Sequence, residues 1–143
     1  MRNTTTLIDP KGLLTNAPVF ASFAVKDLEA AREFYARRLG LDVREDNQMG
    51  IFEIHSPDKS RVLVYPKPDH QPATFTVLNL QVPDIDQIVD SMTATGIKFE
   101  HYDTDSMKTD AKGVVRGENN GPSIAWFRDP SGNIVSVMES TRS

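Results

Sequence analysis

A chain of 143 residues with 38% hydrophobic and 25% charged residues is long enough to bury a core of its own as one domain. Its formal net charge of −4 and pI of about 5.3 leave no basic excess to neutralise a phosphate backbone or an anionic membrane, so neither nucleic acid nor membrane is an expected partner. Cysteine is absent, which excludes disulfides, thiolate metal sites and a cysteine nucleophile and fits a reducing compartment.

Residues 1–16 read as an N-terminal extension. The start carries one Arg and polar residues without an apolar h-region, so it is not a secretory signal, and no apolar run is long enough to span a bilayer. The expected location is cytoplasmic.

Val19–Val25 reads as a strand, with Val19, Ala21, Phe23 and Val25 on one face by period-2 alternation. Asp27 is placed to cap a helix, because its carboxylate can accept first-turn N–H groups. Leu28, Ala31, Phe34, Tyr35 and Leu39 repeat at helical spacing, and Gly40 suits the left-handed position after the helix. A strand opens at Leu41–Val43. Gly50–His55 and Arg61–Tyr65 flank Ser56–Ser60, the grammar of a hairpin. Pro66, Pro68 and Pro72 mark a linker over about 66–73.

The same order then recurs. Thr74–Val82 reads as a strand, Asp84 caps a helix with Gln87 placed for a capping box, and Ile85, Ile88, Val89 and Met92 form the buried stripe. Gly96 ends it, and Ile97–His101 reads as a strand. The polar stretch of about 103–120 lacks periodicity and suits a lid or a disordered loop. Ser123–Phe127, the turn Asp129–Asn133 and Ile134–Met138 close the chain as a hairpin. Asp27 and Asp84 stand 57 positions apart, which marks a structural repeat. The reading is an α+β domain over 17–143, built of two βαβββ modules at about 17–68 and 74–140. The modules form a curved mixed sheet with helices on the outer face and a hollow on the other.

Three segments carry a family resemblance. Phe23–Tyr35 with Leu39-Gly40-Leu41 resembles the opening of glyoxalase, bleomycin-resistance and extradiol-dioxygenase-like domains, the vicinal oxygen chelate superfamily. Val82-Pro83-Asp84 to Gly96-Ile97 resembles the start of their second module, and Phe127–Ile134 their final hairpin. Metal-using relatives carry His, Gln or Glu on the first strand of each module and Glu on the last. Carried over, those positions fall on Phe20, Val77 and Ser136, and Arg61–Tyr65 has no acid in any register. Phe and Val cannot ligate and a neutral Ser ligates poorly, so the resemblance comes without the family metal, and no cofactor is expected.

Alternation puts Phe20, Ser22 and Ala24 in the hollow, with Val77, Asn79 and Gln81, then Ser136 and Met138, and either Trp126 or Phe127. An apolar and aromatic wall with a few neutral hydrogen-bonding groups suits a small organic ligand. The same residues could instead fill a second core or a subunit interface. Bleomycin-resistance proteins, which sequester a drug without chemistry and pair as dimers, are the relevant resemblance, and a homodimer is expected.

The alternative is a metal-dependent lyase, isomerase or dioxygenase of the glyoxalase type with ligands from Glu53, His55 or His101. Glu53 and His55 share a strand face, whereas Glu100 and His101 do not. His70 falls in the linker. Lys108, Lys112 and Arg116 could clamp an anion, but Asp103, Asp105, Asp110 and Glu118 balance them. No phosphate loop, Ser-His-Asp order or zinc helix motif occurs. A third reading is an interaction domain with a filled hollow.

Overall fold

The computed structural model describes residue 7 and residues 12–118 and 121–140. Most of the expected extension lies outside them; residues 12–16 form an exposed turn.

Module one runs β1 (Ala21–Val25), α1 (Leu28–Arg32), β2 (Asp42–Asp46), β3 (Ile51–His55) and β4 (Arg61–Pro66). Asp27 caps α1 by accepting the Ala30 N–H at 3.1 Å. The helix does not continue as an α-helix to Leu39. Over Glu33–Arg38 it widens into a π-helical turn, in which Leu39 N–H reaches back five residues to the Phe34 carbonyl. Gly40 follows at φ 71°, where a side chain would be strained.

Module two runs β5 (Thr76–Val82), α2 (Ile85–Ala94), β6 (Val114–Val115), β7 (Ile124–Arg128) and β8 (Ile134–Glu139). Asp84 caps α2 by accepting the Gln87 N–H. Ile85 and Val89 are buried, while Ile88 and Met92 are partly so.

The strand expected over Ile97–His101 is not continuous. Phe99 bridges to Phe127, and Glu100 N–H bonds the Trp126 carbonyl, after which the chain leaves the sheet. It returns at β6, where Val114 pairs with Ala125. Both pieces lie antiparallel along β7 and advance in the same direction, so one edge strand is split by an excursion over 101–113. This part of the expected loop is structured. Tyr102 and Thr109 close a small hairpin, and Asp110 accepts the Lys112 and Val114 N–H groups.

The eight strands form two four-stranded mixed sheets, ordered β1-β4-β3-β2 and β5-β8-β7-β6. Among the described residues no ladder joins them. One apolar cluster instead spans both modules. Phe23, Val25, Phe52, Ile54 and Val64 enter it from the first sheet, and Leu78, Ala125, Phe127, Val135 and Val137 from the second. Tyr35 packs on Phe23 and Phe52 of its own sheet, while Phe34 meets Phe127 of the other module at 6.1 Å between ring centroids. Burying Tyr35, Phe52 and Phe127 stabilises the fold by about 1.5–3 kcal/mol each. Val19, expected on this face, lies before β1 and is 91% exposed.

Polar groups also join the modules. Tyr35 Oη donates to Asp129 Oδ2, and Asn133 Nδ2 donates to the Ala24 carbonyl at 2.8 Å. His70 Nε2, in the linker, donates to Asn133 Oδ1 at 3.2 Å. His70 therefore has a structural partner.

Candidate functional site

Because both sheets turn one face to the shared core, their other faces are open. Strand alternation assigns the residues. On module two, Asn79 and Gln81 of β5, Ser136 and Met138 of β8, and Trp126 of β7 share the open face, and Phe127 takes the core side. On module one, Ser22, Leu63, Glu53, His55 and Arg61 share it. Phe20 precedes β1 on this side and is about half exposed.

Val77 is the exception among the predicted residues. The ladder runs Thr76 to Ile134 and then Leu78 to Val135, so Val77 is an extra residue in a β-bulge, and it packs against the core cluster. Thr76 takes the open-face position. It accepts a hydrogen bond from Trp126 Nε1 at 3.1 Å.

That bond sits in a cleft of about 450 Å³ lined by Thr74, Phe75, Thr76, Tyr102, Thr104, Ser106, Met107, Trp126 and Ile134. The volume lies in the ~300–1,000 Å³ range of small-molecule sites. Three aromatic rings, a thioether and several hydroxyls line it, and among the described residues no charged side chain does. Tyr102 meets Trp126 edge to face at 5.7 Å. Phe75 is 67% exposed at its rim. Burial, then the nearby Glu100 charge, raises the Tyr102 pKa, which keeps the hydroxyl neutral. Of the residues predicted for binding, only Trp126 lines this cleft. Thr76 was hidden by the bulge and Tyr102 and Met107 by an excursion without periodicity, while Phe75 lies just before β5.

Farther along the same face, Ser136 Oγ donates to Asn79 Oδ1 at 2.6 Å beneath the surface. The two groups satisfy each other as a neutral pair. At the positions where the resemblance would place metal ligands stand Phe20, Val77, this Ser136, and β4 without an acid. Those donors do not fit a divalent ion. Among the described residues no three His, Asp or Glu side chains converge.

Glu53 and His55 do come together, with His55 Nε2 donating to Glu53 Oε1 at 2.9 Å. His101 does not join them. It lines a second cleft of about 650 Å³ between α2 and the 111–112 turn, with Asp90, Ile97, Phe99 and Lys112. Lys112 is held there by Asp86 and Asp90 at 2.7 and 2.9 Å. Arg116 is held by Asp86 and Asp110, both at 2.8 Å. These cations fasten the excursion to α2 and are not aimed at the aromatic cleft.

Two βαβββ modules about a common core, each with an open sheet face, define a class of fold shared by binding proteins and enzymes. The chain belongs to the Glyoxalase/Bleomycin resistance protein/Dioxygenase superfamily, whose family model matches residues 18–137. Its fold is similar to that of a glyoxalase/dioxygenase from Nostoc punctiforme, with 17% identity, 98% of this chain and 100% of that one covered, and a TM-score of 0.62. It is similar to lactoylglutathione lyase from Agrobacterium tumefaciens, with 22% identity, coverage of 87% and 94%, and a TM-score of 0.61. It is also similar to TnmS3, an antibiotic binding protein from Streptomyces sp. CB03234, with 18% identity, coverage of 88% and 98%, and a TM-score of 0.60. A comparison with curated proteins finds no match. No helix among the described residues is long and apolar enough to cross a membrane.

Proposed function

We propose that this protein binds a small aromatic organic molecule on the open face of module two, without the metal that serves other members of its superfamily. The observation that carries this reading is the uncharged cleft of Phe75, Tyr102, Met107 and Trp126. Aromatic walls would stack on a flat ligand, and the hydroxyls of Thr74, Thr104 and Ser106 would orient it. The Asn79 amide nitrogen, which has no partner among the described residues, and Gln81 offer further hydrogen bonds along the same face. The antibiotic-binding function named for TnmS3 supports a binding role on this fold.

The reading takes residues 17–143 as the binding unit and 1–16 as an extension, in a cytoplasmic homodimer. Support for pairing comes from the sheet edges. β1 and β5 are the edge strands of their sheets, and exposed Val19, Phe20 and Phe75 precede them. The cysteine-free composition fits the reducing compartment.

Trp126 is the sole tryptophan, so its fluorescence reports on the cleft. The test is a fluorescence titration with a panel of neutral aromatic compounds, beside metal analysis of the untagged protein. Saturable quenching without bound metal is the expected result. A stoichiometric metal that raises the melting temperature would overturn it and favour the lyase, isomerase or dioxygenase alternative.

A further inference from the structure

The open face of module one carries a different chemistry. His55 and Arg61 are partners in the β3–β4 ladder, and Glu53 lies two residues before His55, so the three side chains emerge together. Glu53 receives His55 at 2.9 Å on one oxygen and stands 3.4 Å from Arg61 Nε on the other. The Arg61 guanidinium also lies over the Phe20 ring, with its carbon 4.3 Å from the centroid.

A guanidinium has five N–H donors in one plane and a flat face. Here Phe20 covers a face and Glu53 takes the Nε side. Among the described residues the terminal nitrogens make no hydrogen bond. An arginine serving only its carboxylate would turn its fork to it in a short, two-pronged pair. Arg61 makes one long contact through Nε, and its two-pronged end remains open. Exposure follows the same division. Glu53 and His55 are 29% and 20% exposed, whereas Arg61 is 41% exposed. The carboxylate is thus a half-buried anchor, and the guanidinium is a positioned, wet donor.

We propose that Arg61, held flat by Phe20 and anchored by Glu53, binds an oxyanion on the open face of module one. The ligand group is a carboxylate or a phosphate, since the planar fork matches two oxygens of either. His55 stands beside it on the same ladder. The site is separate from the aromatic cleft at Trp126, and its test does not depend on that cleft being filled.

The experiment titrates the full chain with inorganic phosphate and with benzoate at constant ionic strength, following backbone amide shifts by NMR. Saturable shifts centred on Ser22, His55 and Leu63 are expected with at least one probe. Saturation by phosphate alone assigns a phosphoryl group, and by benzoate alone a carboxylate. Arg61→Gln should weaken binding by about tenfold or more, the loss expected for a charge-assisted pair. Arg61→Lys keeps the charge and the Glu53 pair but lacks the fork. It should fall between the two, and it serves as the test where the Gln variant fails to fold. Phe20→Leu should weaken binding as well. Absence of saturable shifts with both probes, or equal affinity in wild type and both Arg61 variants, would overturn the proposal.

Discussion

The Tyr35 hydroxyl, on a fully buried ring of module one, donates to Asp129 Oδ2 of module two at 2.7 Å. Asp129 is itself 4% exposed, and its other oxygen receives the Ser131 and Asn133 N–H groups of the last turn. The bond therefore ties the widened helix of one module to the closing hairpin of the other, inside the shared core. Tyr35→Phe removes the donor and leaves Asp129 Oδ2 with Asn133 Nδ2 alone at 3.2 Å. The expected cost is about 1–3 kcal/mol in denaturant unfolding, the range for a bond to a buried charged group.

The same pair sets an alkaline limit. Burial first, then the Asp129 charge and bond, push the Tyr35 pKa far above its ordinary value. A group whose folded pKa is raised gives its full stabilisation below the unfolded pKa, about 10 for tyrosine, and loses it as pH rises beyond that. Tyr35 should add no pH dependence to the unfolding free energy near neutral pH, where its contribution is full, and should make that free energy fall above about pH 10. Tyr35→Phe should flatten that fall by one proton's worth of slope. An identical slope in the variant would contradict the assignment.

Asp86 holds the excursion to α2. Hydrogen bonds from Arg116 and then Lys112 keep its carboxyl well below the usual carboxylate range. A depressed pKa gives stabilisation that is full above the unfolded value of about 4 and is lost progressively as pH falls from there through the folded one. The clasp should therefore persist in mild acid. Asp86→Asn should raise amide exchange at Val114 and its neighbours in low salt. The difference should shrink in high salt, because the pairs are exposed and screened.

Much of the architecture could be read from residues with one dominant local role. Asp27 and Asp84 announced both helices because a capping carboxylate acts within three residues. Strand alternation put Asn79, Gln81, Ser136 and Met138 on one face, with either Trp126 or Phe127, and put Glu53 and His55 on a common strand face. The misses share a cause. Val77 fell off its expected face because one extra residue in β5 shifts the alternation, and a bulge has no marker in the sequence. The split edge strand also went unseen. Phe99 and Val114 each contribute too few ladder positions for a period to show, and β7 defines them only once the fold exists. The cleft suffered from both, since the bulge sets Thr76 and the excursion supplies Tyr102 and Met107.

Phe75 separates binding from stability. Its ring lines the aromatic cleft yet is 67% exposed, so little packing is lost on truncation. Phe75→Ala should leave unfolding within about 0.5 kcal/mol of wild type. It should weaken an aromatic ligand by about three- to tenfold, the equivalent of one ring–ring contact. Trp126→Phe should abolish the fluorescence signal while calorimetry still detects binding. Unchanged affinity in Phe75→Ala would remove the cleft from the proposed site.

Gly113 is where the returning chain meets the edge it left. Its φ is 93°, a conformation that side chains rarely adopt. A Cβ there would stand 2.9 Å from Phe99 Cβ and 3.0 Å from the Glu100 carbonyl oxygen. Neither neighbour can yield cheaply. Phe99 is buried against Phe127 at 5.6 Å between ring centroids, and Glu100 is tied to Trp126 through its N–H. Gly113→Ala thus combines backbone strain with a clash between the two halves of the split strand, a cost of order 1–3 kcal/mol for the strain alone. Release by local opening is the cheaper course, because the excursion is held mainly by exposed ion pairs. Amides from Tyr102 to Val115 should exchange faster, while those of β1 and β4 in module one keep their protection. Ligand affinity at the aromatic cleft should fall with them, since Tyr102 and Met107 ride on the same excursion. A variant that loses protection evenly across both modules would show instead that the split strand belongs to the global folding unit.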